Sequence, residues 1–251
     1  MKKYILGALI MFFVFPATAE VKVILDIKET ATSFIFIDGE NEVAREVYDT
    51  NGNFKSMTGK IPDGVYKFYY QDGKTLRFEY TYKYGMKVFT KVYTRDGKLS
   101  SDAEYMYNKL NGKRNTYYKD GVLRQSISYK MGKKNGSCLT YNESGKKESE
   151  ENYKEDMKYG KRMAYYPTGI LESEENYKND SLDGPAKKYY ETGKIKEELN
   201  YTVGRGEGVY KKYFENGNLE VEAAYVNGSV KGIVKRYEPD GKLLSAVDEN
   251  K

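Results

Sequence analysis

The chain has 251 residues, with 42 lysines and arginines against 37 aspartates and glutamates, and no histidine. Only 39% of the residues are apolar and 31% are charged, while 27 tyrosines supply much of the apolar surface, a composition suited to thin layers rather than one thick interior. The lack of histidine removes Ser-His-Asp and Cys-His nucleophile pairs and histidine metal sites, and the interleaved, nearly balanced charge removes the electrostatic footprint of a nucleic-acid binder.

From the N-terminus, residues 1–19 read as a secretory signal peptide. Lys2 and Lys3 form a basic start, Tyr4 to Phe15 an apolar run, and Ala17-Thr18-Ala19 a small-x-small cleavage site before Glu20. The apolar run is too short to cross a bilayer core of roughly 30 Å as a helix, so cleavage and export to the periplasm or cell surface are expected. Cleavage would leave 40 basic and 37 acidic residues. Cys138 is the only cysteine, which excludes an intramolecular disulfide and a lipid attached beside the cleavage site. Residues 20–42, with VKVILDI and SFIFID, are expected to form N-terminal cap strands.

Residues 43–251 carry a repeat. Gly73, Gly97, Gly121, Gly145, Gly169, Gly193, Gly217 and Gly241 follow one another every 24 residues, and Gly52 precedes them by 21. A second ladder, Gly112, Gly136, Gly160, Gly184, Gly208 and Gly232, keeps the same period, with Gly64 before it. A tyrosine stands four residues before every turn glycine, from Tyr48 and Tyr69 to Tyr213 and Tyr237, and another eight residues after it, as at Tyr153, Tyr177, Tyr201 and Tyr225. The expected fold is all-β, an elongated antiparallel β-meander of about nine tandem 24-residue hairpins, each a strand, a tight turn, a second strand and a connecting loop of about half a dozen residues.

The copy Gly184 to Tyr201, GPAKKYYETGKIKEELNY, shows the logic. Glu191-Thr192-Gly193-Lys194 suits a type I turn closed by a left-handed glycine with a bulge. Pairing Tyr190 with Lys194 puts Tyr189 opposite Ile195 and Lys187 opposite Glu197. Alternation then collects Tyr189, Ile195, Leu199 and Tyr201 on an apolar face and Tyr190, Lys188, Lys196 and Glu198 on a charged one. In the next copy the first face takes Tyr213, Leu219, Val221, Ala223 and Tyr225, and the second takes Phe214, Lys212, Glu220 and Glu222.

Written as G-x-x-x-x-Y-[YF]-x-x-G-x-[LI]-x-x-E-x-x-Y, these marks resemble the MORN-repeat variant of bacterial proteins, some known as YwqK-type antitoxin components. Gly184, Tyr189, Tyr190, Gly193, Ile195, Glu198 and Tyr201 fit it, as do Gly208, Tyr213, Phe214, Gly217, Leu219, Glu222 and Tyr225. Early copies depart from it: Val88 replaces the opening glycine, Thr94 and Asn142 the second aromatic, and Thr81 the late tyrosine. The resemblance implies three roles: a scaffold for protein partners, association with membrane phospholipid, and neutralisation of a toxin.

Chemistry-bearing residues have structural readings. Glu150-Glu151, Glu174-Glu175 and Glu197-Glu198 could suggest a glycosidase pair, yet they recur, whereas a catalytic pair is singular; cross-strand links to Lys187, Lys188, Lys211 and Lys212 explain the recurrence. Asp72-Gly73 lacks the ligands of a calcium loop, and Cys138 lies where neighbouring copies have Arg162 and Ala186. The chain is read as no enzyme, with neither metal nor cofactor. The candidate binding face is the row Tyr70, Tyr118, Tyr166, Tyr190 and Phe214 with Lys188 and Lys212, since tyrosine beside lysine suits a peptide, a glycan or lipid headgroups. The expected function is an exported scaffold that binds a protein at the cell envelope; a peripheral binder of anionic phospholipid and an antitoxin or immunity-type protein are the alternatives.

Overall fold

The structure is a computed structural model that describes residues 9–11, 21–28 and 30–250. The signal-peptide reading of residues 1–19 therefore lies outside the described residues, apart from the backbone of Leu9–Met11. Every regular element described is a β-strand, and every ladder is antiparallel, as the repeat predicts. The chain divides into two compact units, Met1–Gly121 and Val122–Lys251.

The first unit holds two sheets. Strands β1 (Leu9–Met11), β2 (Val21–Lys28), β3 (Ala31–Asp38), β4 (Asn41–Tyr48) and β5 (Phe54–Gly59) pair in sequence order. Strands β6 (Gly64–Tyr69), β7 (Leu76–Lys83), β8 (Met86–Tyr93), β9 (Leu99–Met106) and β10 (Lys109–Tyr117) form a second meander. The hairpin at Gly52 has the expected turn, with Tyr48 opposite Phe54, but it closes the N-terminal sheet instead of opening the repeat meander. Residues 43–59 thus pair with the cap strands, and the repeat meander begins at Gly64.

The reason is the apolar content of β3. Its two-residue alternation points Phe34 and Phe36 to one side, and they meet aromatic rings of the repeat strands edge to face. Phe36 lies 5.3 Å from Tyr66 and 5.5 Å from Tyr82, and Phe34 lies 5.4 Å from Phe68. Val21, Val23, Ala44 and Ile61 complete this core. Burying each phenylalanine contributes about 2 kcal/mol, which a single-layer hairpin has no means of gaining.

In the second unit the strands are β11 (Leu123–Lys130), β12 (Lys133–Tyr141), β13 (Lys147–Lys154), β14 (Met157–Tyr165), β15 (Leu171–Lys178), β16 (Ser181–Leu182), β17 (Gly184–Tyr189), β18 (Ile195–Thr202), β19 (Arg205–Tyr213), β20 (Leu219–Val226), β21 (Ser229–Tyr237) and β22 (Leu243–Asp248). Ladders join sequence neighbours, except that β15 pairs with both β16 and β17. Among the described residues of this unit the buried apolar side chains are Ile127, Cys138, Ala223 and Val234. With so little core, the sheet depends on rows of neighbouring side chains across its strands.

Two kinds of turn alternate. At the predicted station Tyr190 N–H donates to the Lys194 carbonyl at 2.8 Å, Gly193 N–H donates back to the Tyr190 carbonyl at 2.8 Å, and Gly193 has φ +80°. The other connection is tighter than the loop expected from sequence: it is a two-residue turn with both residues left-handed, such as Asn179 (φ 50°) and Asp180 (φ 65°), the geometry that matches strand twist.

Candidate functional site

The second glycine ladder lies inside strands. Gly184 has φ +112° and faces Tyr201 across the β17–β18 ladder. The same opposition recurs at Gly64 and Tyr82, Gly136 and Tyr153, Gly160 and Tyr177, and Gly208 and Tyr225. In each of these pairs the tyrosine stands across the ladder from a residue with no side chain of its own. The two periodic marks are therefore one device, a link visible in the equal period of the two ladders but not drawn from it.

The turn bulge changes which residues share a face. Tyr189 does oppose Ile195, but Lys196 is the extra residue, so Lys188 opposes Glu197 and Lys187 opposes Glu198. The expected opposition of Lys187 and Glu197 is thus off by one, and a one-residue slip reverses the faces beyond it. Lys188, Glu197, Leu199 and Tyr201 share one side; Tyr189, Lys187 and Glu198 share the other. The next copy shows the same shift, with Lys212 opposite Val221 and Lys211 opposite Glu222. Both faces are consequently mixed, where an apolar face and a charged face were expected.

This register explains the adjacent glutamates, because consecutive residues serve opposite faces. On one side a row of alternating charge crosses six strands through Glu174, Lys187, Glu198, Lys211, Glu222 and Lys235. Tyr189 and Tyr213 donate to Glu174 at 2.7 Å and Glu198 at 2.9 Å, and burial with the nearby carboxylate pushes both phenols up to about 12. On the other side Arg162 bridges Glu151 at 3.0 Å and Glu175 at 3.1 Å, and Lys188 meets Glu197 at 2.6 Å. Burial opposes ionisation of Glu151, but hydrogen bonds from Tyr153, Lys158 and Arg162 outweigh it and hold the carboxyl below its usual range. Cys138 opposes Glu151 on β12, and burial pushes its thiol up, so a reactive thiolate is disfavoured.

The candidate aromatic row is stapled to its neighbours. Tyr70, Tyr166 and Tyr190 are half-buried, and their hydroxyls donate to the carbonyls of Tyr93 at 2.8 Å, Tyr189 at 2.7 Å and Tyr213 at 2.6 Å in the following hairpin. Tyr118 is half-buried at the end of β10, where its carbonyl accepts from Gly121 N–H. Phe214 holds the same turn position without a hydroxyl, its N–H donating to Asn218 at 2.8 Å. Lys188 is exposed but engaged by Glu197, and Lys212 is engaged by Glu220 at 2.6 Å. Of these residues, Tyr70 alone lines a cleft, beside Gln71, Asp72, Arg77 and Arg95, among the described pockets.

A buried ionic group in the first unit went unseen in the sequence. Glu46 on β4 is wholly buried and accepts from the hydroxyls of Tyr48 and Tyr82, each at 2.8 Å, while Lys87 Nζ donates to the Tyr48 hydroxyl at 2.7 Å. Lys87 lies within a cage of Tyr48, Tyr80 and Tyr105, 5.0 to 5.2 Å from each ring. Burial lowers its pKa against the opposing pull of Glu46. Strand alternation placed Glu46 beside Ala44 and Tyr48 on the buried face, which was the available signal.

The alternating turns, the glycine–tyrosine oppositions and the recurrent ion pairs define a tandem β-hairpin repeat protein. Six segments, residues 62–84, 110–131, 134–155, 158–179, 182–202 and 206–227, match the model of the MORN repeat variant. They cover just over half of the chain, which therefore belongs to that family. The unmatched stretch between the first two segments contains Val88 in place of the opening glycine. No curated protein matches the chain.

Proposed function

We propose that this protein is a non-catalytic repeat scaffold, exported through the leader at residues 1–19, that binds a protein partner at the cell envelope. The observation that carries the binding role lies at the two-residue turns. The backbone there is constant, while the first turn residue changes from copy to copy, and Tyr84, Tyr107, Met131 and Val203 expose large apolar side chains at it. Aromatic residues and methionine are enriched in protein interfaces, and a fixed backbone carrying varied tips suits an extended binding surface. The non-catalytic reading is supported by the recurrent glutamates, whose oxygens are taken up in links repeated along the array.

The test is expression of the full chain, N-terminal sequencing after cell fractionation, and affinity capture from the envelope fraction. The reading expects a chain beginning at Glu20 outside the cytoplasm and a partner retained in stoichiometric amount. An intact leader in the cytoplasm, or no retained protein, refutes it. Sedimentation with anionic vesicles at two salt concentrations is the companion experiment: salt-sensitive binding without a protein partner would transfer the role to phospholipid. A toxin is a special case of the partner, marked by rescue of growth on co-expression.

A further inference from the structure

The cleft beside Tyr70 has a volume of about 440 Å³ and contains two arginines. The Arg77 guanidinium carbon lies 5.4 Å from the centre of the Tyr70 ring and 4.7 Å from that of Phe78. Arg95 approaches the same Tyr70 ring at 5.8 Å. Since the Tyr70 hydroxyl is tied to the Tyr93 carbonyl, two cations converge on a ring that is itself fixed. Aromatic stacking orients guanidinium groups while leaving their N–H donors free for another partner.

The surrounding acids are already engaged. Asp72 accepts from the N–H groups of Lys74 and Thr75 and from the Thr75 hydroxyl. Glu79 pairs with Lys91 at 3.0 Å, and Asp96 accepts from the Thr94 hydroxyl at 2.5 Å and faces Lys119. Among the described ion pairs none involves Arg77 or Arg95.

The pair is also singular. Arg77 follows Leu76, which opposes Tyr69, just as Lys196 follows Ile195 opposite Tyr189. At the equivalent two stations later copies combine Ser100 with Lys119, Arg124 with Glu143, and Lys196 with Glu215, and the copies at Gly145, Gly169 and Gly217 begin with a glutamate. No other copy brings two cations together there. What recurs in a repeat supports its framework; this pair does not recur.

We propose that the Tyr70, Arg77 and Arg95 cleft binds the carboxylates of an acidic peptide segment on the protein partner, an inference that rests on the scaffold reading above. Two guanidinium forks match two carboxylates bidentately, and an extended peptide, rising about 3.3 Å per residue, presents alternate acidic side chains on one face, about 6.6 Å apart.

Fluorescence anisotropy of a labelled hexaglutamate peptide with the full chain tests this, with hexaglutamine as control. Expected is salt-sensitive binding of hexaglutamate alone, weakened about tenfold or more by the Arg77→Gln, Arg95→Gln double variant. The Arg77→Lys, Arg95→Lys variant, which keeps the charge and loses the fork, should fall between. Lys196→Gln and Arg124→Gln should leave affinity unchanged, and circular dichroism should show every variant folded. Unchanged affinity in the double variant overturns the proposal, as does an equal loss in Lys196→Gln or displacement by inorganic phosphate at matched ionic strength. In envelope capture, equal recovery of the partner by wild type and the double variant sinks this inference and leaves the scaffold reading standing; no recovery by wild type sinks that reading itself.

Discussion

Replacing Glu46 tests whether the two sheets of the first unit are locked by a buried charge. The carboxylate is the acceptor for the buried hydroxyls of Tyr48 and Tyr82, and it is the acid facing Lys87 within the aromatic cage. Glu46→Ala strands two buried donors, at about 1–3 kcal/mol each, and leaves a lysine cation without its counter-charge, a loss of about 3–5 kcal/mol when one partner of a buried pair is removed. The losses share atoms and do not add, so the expected destabilisation is about 3–5 kcal/mol, a large part of the stability of an ordinary domain. Glu46→Gln keeps an acceptor and loses the charge, and should cost less. Combining it with Lys87→Met removes both charges and should recover part of that cost. With no tryptophan in the chain, urea unfolding followed by far-ultraviolet circular dichroism is the suitable assay. A cost below about 1 kcal/mol for Glu46→Ala would mean that the apolar contacts of Phe34 and Phe36 hold the sheets together without the lock.

Val203 takes φ 48° at a two-residue turn where the next copy has Asn227 at φ 52°; because β-branched residues strain in that region, Val203→Asn should stabilise by about 1 kcal/mol, read as a raised Tm. Tyr190→Phe deletes the staple to Tyr213 and should cost about 1 kcal/mol, whereas Phe214→Tyr, in the copy that lacks the hydroxyl, should cost little or nothing; equal effects would dismiss the staple. Acid should weaken the second unit. Glu151, Glu174 and Glu197 all have folded pKa values below the ordinary range, each opposed by burial but held down by hydrogen bonds, from Lys161 and Tyr189 in the case of Glu174. A depressed carboxyl stabilises fully above its unfolded value, about 4.3, and the contribution is lost as pH falls through the folded value. Urea midpoints should therefore be flat from pH 7 to about pH 5 and fall below it; a midpoint that rises on acidification would reverse the assignment.

The period, the glycine turns and the antiparallel meander were legible because each turn glycine needs a backbone that other residues avoid, and because tyrosine kept step with it. Alternation was legible only as far as the first bulge. Lys196 is a single extra residue, yet it exchanges the faces of everything beyond it, so Glu197 falls opposite Lys188 instead of Lys187 and the expected apolar and charged faces merge. The change of sheet at Gly52 was hidden for a different reason. Its turn obeys the repeat rule locally, and only the burial of Phe34, Phe36 and Ile61 against Tyr66, Phe68 and Tyr82 draws that hairpin into the cap.

Recurrence separates framework from site, though singularity alone does not make one. Cys138 is singular at its station, where neighbouring copies hold Arg162 and Ala186, but it is buried opposite Glu151 and its thiol is pushed up, which leaves it inert as a nucleophile. Glu46 and Lys87 are singular too, but both are buried in a core, where the Tyr48 hydroxyl links them. Arg77 and Arg95 differ on both counts, being exposed and lacking a carboxylate partner among the described ion pairs. Two like charges held on one ring repel each other, and that arrangement gains from an anion supplied from outside the chain. Recurrent glutamates of the framework are taken up in cross-strand links, and among the described contacts Tyr70 is the one ring that two cations approach.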